Sequence, residues 1–305
     1  MEVPITSLDL SSFGVKEVQV DLLRLDLLHP EAQGNKWYKL KYNLEKARQD
    51  NRSTLLSFGG AWSNHLHALA LTGQQEGFKT IGIVRGEEPK SWSKTLLDCQ
   101  AAGMDLHFIS RAEYDERDEP FFKQWLRDQF GSFHLIPEGG SNFHGLNGTM
   151  EIVPAQLAKN YELIACPIGT GATVAGITMS SGSTPVLGFP AVAQGEYLRR
   201  EIENMLLYFL FDQESVDEVM NKLQLNTKYH FGGFAKVSQE LLSFQKAFYQ
   251  SNRIELDLLY TAKMMMGMCE ELREANQKMG KRILCIHTGG IQGNRGIKGY
   301  QHPSE

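Results

Sequence analysis

Short apolar runs alternate with helical patterns in the first half of the chain, and this alternation constrains the fold more than any other feature. The runs lie at 53–58, 80–84 and 105–109, and the helical patterns between them lie at 64–76 and 91–102. A strand that returns through a helix to the next strand runs parallel to it. The sequence therefore predicts an α/β fold in which a parallel sheet is covered by helices on both faces.

A second set of the same kind follows residue 146. It has strand patterns near 162–168, 184–189 and 282–287, and helical patterns at 194–209, 213–223, 235–250 and 260–279. Two further patterns precede the first set, a strand at 17–26 and a helix at 36–49. The charge-rich residues 111–130 predict a loop that leads into a surface helix. A chain of 305 residues is long enough for two domains, each with a core of its own.

Composition and charge argue against several classes of function. The net charge of −5 gives no reason to expect nucleic acid as a partner. No run approaches the roughly 18 apolar residues of a membrane helix, and the N-terminus lacks the pattern of a secretion signal. The four cysteines form no Cys-x-x-Cys pair, which favours buried thiols over disulfides or a metal site. We therefore expect a cytoplasmic protein that binds no metal and no membrane.

Lys36 is a candidate for covalent chemistry because of where it lies in the pattern. A lysine is ordinarily a solvated surface charge, but this one opens a helical pattern directly after Gly34 and Asn35, and Lys39 follows one turn later. An amine that attacks an aldehyde must first lose its proton. A desolvated pocket or a neighbouring cation lowers the pKa of the amine and makes that possible. The pattern thus predicts a lysine that forms a Schiff base with a carbonyl cofactor.

A polar helix start at Ser63, Asn64 and His65 follows the Gly59-Gly60 turn. The simplest interpretation is an ordinary N-cap serine with polar neighbours. The alternative is a site at which the free N–H groups of the helix bind a substrate carboxylate.

A glycine-containing turn, Gly169-Thr170-Gly171-Ala172-Thr173, lies between an apolar run and a helix start. Successive N–H groups at such a turn, with the helix dipole, hold a phosphate. The same turn, followed by Ala175, also fits a dinucleotide site. A dinucleotide site requires an acidic residue at the end of the next strand, and here no acid occurs until Glu196. The phosphate cradle is favoured, and a nicotinamide site stays as the alternative.

These motifs together resemble one family of enzymes. The Gly34-Asn35-Lys36 motif with Lys39, and Ser63-Asn64-His65 after two glycines, resemble the pyridoxal-phosphate enzymes that include D-cysteine desulfhydrase and 1-aminocyclopropane-1-carboxylate deaminase. The resemblance continues at 137–148, 169–173, 255–263 and 287–290. It implies the two-domain tryptophan synthase β-like fold, with pyridoxal 5'-phosphate in the cleft between the domains. The larger domain would comprise 1–47 and 147–305, and the smaller inserted domain 48–146. A homodimer is expected by the same resemblance.

The resemblance also implies a role for each candidate residue. Lys36 would form the Schiff base with the cofactor and move the α-proton of the substrate. Ser63, Asn64 and His65 would bind the substrate carboxylate, with Ser63 also catalytic. Tyr260, otherwise a core tyrosine, would face the substrate. The remaining cofactor contacts would come from Lys39, Asn64, Gly169, Thr170, Gly171, Ala172, Thr173 and either Thr261 or Thr288, the last two being alternative partners of the pyridine nitrogen.

Two local features bear on the substrate. The segment Tyr260-Thr261-Ala262-Lys263 is closer to the desulfhydrase pattern, which has threonine after the tyrosine, than to the deaminase pattern, which has glutamate. Phe234 stands where the family has a second active-site tyrosine. The sequence thus predicts β-elimination of a small amino acid such as D-cysteine. The alternatives are ring opening of 1-aminocyclopropane-1-carboxylate, a nicotinamide-dependent oxidoreductase, and a protein that holds the cofactor without turnover.

Overall fold

The computed structural model describes residues 3–28, 34–274 and 280–304. Its strands are β1 (Ile5–Ser7), β2 (Gln19–Arg24), β3 (Thr54–Gly59), β4 (Lys79–Arg85), β5 (Met104–Ile109), β6 (His134–Ile136), β7 (Leu163–Ile168), β8 (Val186–Pro190), β9 (Leu223–Leu225) and β10 (Arg282–His287). They form two separate sheets. The larger sheet has the order β1-β2-β10-β7-β8-β9, and the smaller has the order β5-β4-β3-β6. Apart from the antiparallel edge strand β1, every pairing is parallel.

Helices connect the strands and cover both sheets. They are α1 (Asn35–Gln49), α2 (Asn64–Glu76), α3 (Lys94–Ala101), α4 (Arg111–Asp115), α5 (Pro120–Phe130), α6 (Phe143–Thr149), α7 (Ala155–Ala158), α8 (Ala172–Ser180), α9 (Tyr197–Leu210), α10 (Gln213–Asn221), α11 (Gln239–Asn252) and α12 (Thr261–Glu274). Within the described residues, no helix is long and apolar enough to cross a membrane.

Each sheet is buried on both faces, as parallel sheets require. In β7 the side chains of Ile164, Cys166 and Ile168 pack into one apolar cluster and Ala165 into another. In β3, Leu55 packs on one face of the smaller sheet, and its neighbours Leu56 and Phe58 pack on the other. The near-continuous apolar character of these strands therefore reflects burial from above and below.

The predicted α/β class is confirmed, with differences at the ends of elements. The helix predicted from 235 begins at 239, because the Ser238 hydroxyl caps it by accepting from the Leu241 N–H. The helix predicted for 213–223 ends at Asn221, and its last predicted residue starts β9. Residues 111–130 form two helices rather than a loop and one helix. The end of the helix predicted for 260–279 lies outside the described residues.

Short elements without periodicity were not predicted from the sequence, and α6 shows why. It contains Gly145 and Gly148, which weaken any helical propensity. Both are required by packing, since a Cβ on Gly148 would overlap the carbonyl oxygen of Tyr38 in α1. A Cβ on Gly145 would overlap the carbonyl oxygen of Gly140. The glycines that let α6 pack against α1 therefore also lower its helix propensity, and for that reason α6 was not predicted.

The contact between α1 and α6 gives a test of this packing. We expect Gly148→Ala to lower the free energy of unfolding by about 1–3 kcal/mol, because overpacking outweighs the gain in helix propensity. Thermal or urea denaturation measures the change. Gly60→Ala is the control, since an added Cβ there meets no atom within 4 Å. A Gly148→Ala protein as stable as the wild type would show that the two helices are not in such close contact.

Candidate active site

A cavity of about 440 Å³ lies where the carboxyl ends of the two sheets meet. Its walls come from the start of α1, from the segments that follow β3, β6, β7 and β10, from the last residue of β4, and from residues 234–235 and 259–260. In parallel α/β sheets, ligands bind at this end of the strands. The polar, charged and aromatic side chains and the turn residues that line it include Lys36, Lys39, Trp62, Ser63, Asn64, His65, Arg85, Glu138, Gly169, Thr170, Gly171, Thr173, Phe234, Tyr260 and Thr288.

Lys36 is the second residue of α1 and faces the cavity with a partly buried side chain. Its Nζ donates a weak hydrogen bond of 3.3 Å to the side-chain oxygen of Asn35. Burial lowers the pKa of Lys36 to about 8, and the negative charge of Asp257 opposes this shift. The amine is therefore available as an unprotonated nucleophile at mildly alkaline pH.

Lys39 lies one helical turn further on and is fully buried. Its Nζ donates to the carbonyl oxygen of Gly139 at 2.9 Å and to the hydroxyl of Thr170 at 3.4 Å. Burial, and then the proximity of Lys36, hold the pKa of Lys39 well below its usual range. The two lysines therefore disfavour each other's positive charge inside one cavity.

The turn at 169–173 joins β7 to α8 and contributes a wall of the cavity. Gly171, the N-cap of α8, has φ of +93°, a left-handed conformation that favours glycine. Thr173 accepts a 2.7 Å hydrogen bond from the side chain of Asn35, which ties this turn to the start of α1. Ala172 is buried and does not line the cavity. The other four residues of the turn do, and the N–H groups at the start of α8 provide an anion site.

The polar helix start at 63–65 is placed in the cavity as well. Ser63 is the N-cap of α2, and its hydroxyl accepts from the Leu66 N–H at 3.2 Å. The side-chain oxygen of Asn64 accepts from Gln292 at 2.7 Å. Thus the simple capping interpretation of Ser63 holds, and it does not exclude ligand binding at the same helix end.

His65 is buried beneath this helix end rather than exposed in the open part of the cavity. Its Nε2 lies 2.9 Å from the hydroxyl of Ser57, which itself donates to the carbonyl oxygen of Ile136 at 2.7 Å. A hydroxyl has one proton, so Nε2 of His65 carries a hydrogen and donates it to Ser57. Burial, with the nearby charges of Lys36 and Lys39, holds the pKa of His65 well below its usual range. The imidazole is therefore neutral.

Tyr260 lies just before α12 and contacts the cavity. Burial raises the pKa of its phenol, so the hydroxyl stays protonated and can donate a hydrogen bond. The ring of Phe234 lies 6.1 Å from that of Tyr260 and is half exposed. A phenylalanine here supplies an apolar contact where a tyrosine would supply a second hydroxyl.

Only one of the two candidate threonines, Thr288, lines the cavity. Thr288 follows β10 and lines the cavity. Thr261 is fully buried in the first turn of α12 and does not line it. The Thr261 hydroxyl has no hydrogen-bond partner among the described residues. Of the two, only Thr288 is placed where a ligand in this cavity could reach it.

Asp257 is a residue that the sequence argument passed over. Its buried carboxylate accepts from the backbone N–H groups of Leu259, Tyr260 and Thr261, at 3.2, 2.8 and 2.8 Å. These bonds fix the backbone that carries Tyr260. The same negative charge offsets part of the lowering of the Lys36 pKa that burial causes. A capping aspartate ordinarily stands directly before the first helical residue, and Asp257 stands four residues before α12, so the pattern of the sequence does not mark it.

Lys263 has a structural role that its place in the 260–263 motif does not indicate. Its Nζ donates to the carbonyl oxygens of His230 and Gly233, at 2.9 and 2.8 Å. It thereby holds the loop that carries Phe234. Burial lowers the pKa of Lys263 to about 8, with the charge of Asp257 opposing. No sequence pattern indicates this contact, because it joins segments about 30 residues apart.

Comparisons with known proteins agree with the geometry. A family model described as "Pyridoxal-phosphate dependent enzyme" matches residues 4–289. A Thermotoga maritima protein, named provisionally as a 1-aminocyclopropane-1-carboxylate deaminase, is 32% identical over 285 residues and is covered over 88% of both chains. The bifunctional D-cysteine desulfhydrase/1-aminocyclopropane-1-carboxylate deaminase of Arabidopsis thaliana, a mitochondrial protein, is 27% identical over 295 residues, with 88% of this chain and 72% of that protein covered.

Solved structures give the fold. The crystal structure of a homologue of 1-aminocyclopropane-1-carboxylate deaminase superposes with a TM-score of 0.77 at 24% identity, covering 96% of this chain and 91% of that one. An O-acetylserine-dependent cystathionine β-synthase from Helicobacter pylori superposes with a TM-score of 0.67 at 14% identity, covering 99% and 96%. The fold is thus the tryptophan synthase β-like fold expected from the motifs. The family match leaves the nicotinamide interpretation of the 169–175 turn without support.

The pKa of Lys36 can be measured directly. In cofactor-free protein whose lysines carry ¹³C-methyl groups, we expect one resonance that titrates near pH 8 and disappears in Lys36→Ala. The variant is needed for assignment, since the pKa of Lys263 is also lowered to about 8. Asp257→Asn should move the Lys36 midpoint further down, because it removes the charge that favours the ammonium form. A Lys36 midpoint near the ordinary value of about 10.4 would show a solvated amine.

Proposed function

The chain belongs to the family of pyridoxal-phosphate-dependent enzymes, and on that premise we propose that it catalyses β-elimination from a small amino acid, of which D-cysteine is the leading candidate. The overall reaction adds water and releases an α-keto acid, ammonium and the β-substituent. For D-cysteine the products are pyruvate, ammonium and hydrogen sulfide. The family gives the cofactor, and the residues of the cavity support the choice of substrate class.

The residues present fit pyridoxal phosphate. The start of α8, with Gly171 in a left-handed conformation and the hydroxyl of Thr170 beside it, suits the phosphate group. Lys39 bonds to Thr170 and would reach the same group. The desolvated amine of Lys36 suits the aldehyde, and Thr288 would offer a hydroxyl to the pyridine nitrogen. Asn64 lines the same cavity and suits the ring oxygen.

When bound, the cofactor acts as an electron sink that stabilises negative charge at the α-carbon of an amino acid. The protein supplies the remaining parts. We assign removal of the α-proton to the amine of Lys36, whose pKa of about 8 is suited to a base near neutral pH. The protonated phenol of Tyr260, which lines the same cavity, would donate a hydrogen bond to the departing β-substituent. A hydroxyl at Thr288, unlike a carboxylate, would not hold the pyridine nitrogen of the cofactor protonated, which would favour elimination over broader reactivity.

The single observation that carries this proposal is the arrangement around Lys36. The amine of Lys36, whose pKa is lowered, lies at the start of α1. It lines the cavity to which the 169–173 turn and the start of α2 also contribute. Ser63 and Asn64, with the free N–H groups of that helix start, would hold the α-carboxylate of the substrate. His65, which is neutral and bonded to Ser57, would support this site from below, with its unpartnered Nδ1 as an acceptor.

A second candidate reaction is supported by the names of the relatives. Several of them are named as 1-aminocyclopropane-1-carboxylate deaminases. That reaction opens the ring of the substrate and, with water, yields 2-oxobutyrate and ammonium. Phe234 removes the second phenol from the cavity, and Thr261 stands where the deaminase pattern has a glutamate. These two residues favour elimination over ring opening in this chain.

We also propose a setting for this enzyme. The four cysteines are buried free thiols, which suits a reducing cytoplasm. Exposed aromatic side chains at the end of α9, Tyr208 and Phe211, support association into a homodimer.

The domain boundaries that we propose are 1–47 with 147–305 for the larger unit and 48–146 for the smaller. They assign every strand of the smaller sheet to the inserted unit.

The activity is tested by a panel of D- and L-amino acids and 1-aminocyclopropane-1-carboxylate, assayed for keto acid, with sulfide measured for cysteine. We expect keto acid and sulfide from D-cysteine and no keto acid from Lys36→Ala. We expect an about tenfold lower kcat in Tyr260→Phe, which loses one hydrogen bond to the departing β-substituent. Lys79→Gln, on the far end of β4, is the control. Keto acid from the cyclopropane alone would overturn the choice of reaction. A coloured protein with no turnover on any substrate would contradict the proposal altogether.

A further inference from the structure

Arg85 is a cavity residue to which the proposed chemistry gives no task. It is the last residue of β4, and β3 pairs with β4 so that Gly59 lies opposite Val84. Arg85 therefore stands beside the chain as it leaves β3 and turns into Gly60, and both line the cavity. Adjacent strands are only about 4.8 Å apart. The side chain of Arg85 is exposed and lines the same cavity as the segment that leads to Ser63.

The charge of Arg85 is not neutralised by the protein. Its guanidinium lies 5.8 Å from the ring centre of Tyr114, and it makes no ion pair with a carboxylate within residues 3–28, 34–274 and 280–304. Glu138 also lines the cavity, but Arg117 lies 3.4 Å from its carboxylate. Arg117 stacks on Tyr114 as well, at 4.9 Å. Arg117 is thus paired with Glu138 and also with Asp118, at 3.8 Å, whereas Arg85 has no carboxylate partner in the described part of the chain.

The other cations in the cavity differ from Arg85. Burial lowers the pKa of both Lys36 and Lys39, so their amines give up their protons readily. A guanidinium stays charged at every pH at which proteins fold, and its planar fork matches a carboxylate, sulfonate or phosphate. The ring of the buried Tyr114 lies on one side of the guanidinium, and the rest of the Arg85 side chain is exposed. Arg85 therefore offers a directional set of donors to an anion in this cavity, in a protein whose net charge is negative.

We propose that Arg85 binds an anionic group on the side chain of the substrate, so that this enzyme prefers amino acids whose β-substituent is negatively charged. This inference rests on the proposed function, because it takes the α-carboxylate to lie at Ser63 and Asn64. With that carboxylate at the start of α2, Arg85 at the end of the neighbouring strand would be available to the substituent on the β-carbon. Within the proposed reaction the same guanidinium stabilises a substituent that leaves as an anion.

The test is a comparison of aspartate with asparagine, which have nearly the same shape and differ in side-chain charge. Binding of each, in both enantiomers, is measured by calorimetry on the cofactor-loaded protein, so no turnover is needed. We expect aspartate of one configuration to bind about tenfold or more tightly than asparagine, as a charged hydrogen bond provides. Arg85→Gln should abolish that preference, and Arg85→Lys should retain part of it.

Lys79→Gln is the matched control, because it removes one positive charge from the other end of the same strand. It should leave the preference unchanged. Equal binding of aspartate and asparagine to the wild type, or no binding of aspartate, would overturn the inference. So would a preference that survives in Arg85→Gln. Keto-acid release from D-cysteine, measured on the same preparations, tests the proposed function separately, since either result can occur without the other.

Discussion

The burial of two amines at the start of one helix is the constraint on which the rest of the site depends. Lys36 and Lys39 are one turn apart in α1, and desolvation makes a positive charge costly on both. Asp257 offsets part of that cost for Lys36, while the same carboxylate anchors the backbone before α12. One buried side chain therefore affects both the pKa of Lys36, which burial lowers, and the position of Tyr260.

The two sheets make this burial possible. Lys39 is bonded to Gly139, which follows β6 of the smaller sheet, and to Thr170, which follows β7 of the larger one. A single side chain thus ties together the strand ends of both sheets. A second link joins Asn64, at the start of α2, to Gln292 beyond β10. A third is the ion pair between Arg295 and Asp98 of α3. The cavity is consequently closed by contacts between segments that are far apart in sequence.

The sequence was sufficient for what is local or repeated. The alternation of strand and helix gave the α/β class, and the bounds predicted for α2 and β10 are those of the structure. Motifs at helix starts led to Lys36, Ser63 and the 169–173 turn, all of which the fold brings into one cavity. The sequence could not show which of Thr261 and Thr288 lines the cavity. Thr261 is buried away from it because of the way that α12 packs, which a local pattern does not reveal. The sequence also offered no sign of Arg85, whose importance comes from strand register and from the lack of a carboxylate partner in the described part of the chain.

The central claim is that the amine of Lys36 is the one that holds the cofactor. The most direct measurement is reduction of the cofactor-loaded protein with borohydride, followed by peptide mass spectrometry. The account predicts a pyridoxyl-phosphate group on the peptide that contains Lys36, and its loss in Lys36→Ala, with Lys39 unmodified in both proteins. A modification found on Lys39 or Lys263 instead, or one that persists in Lys36→Ala, would contradict it.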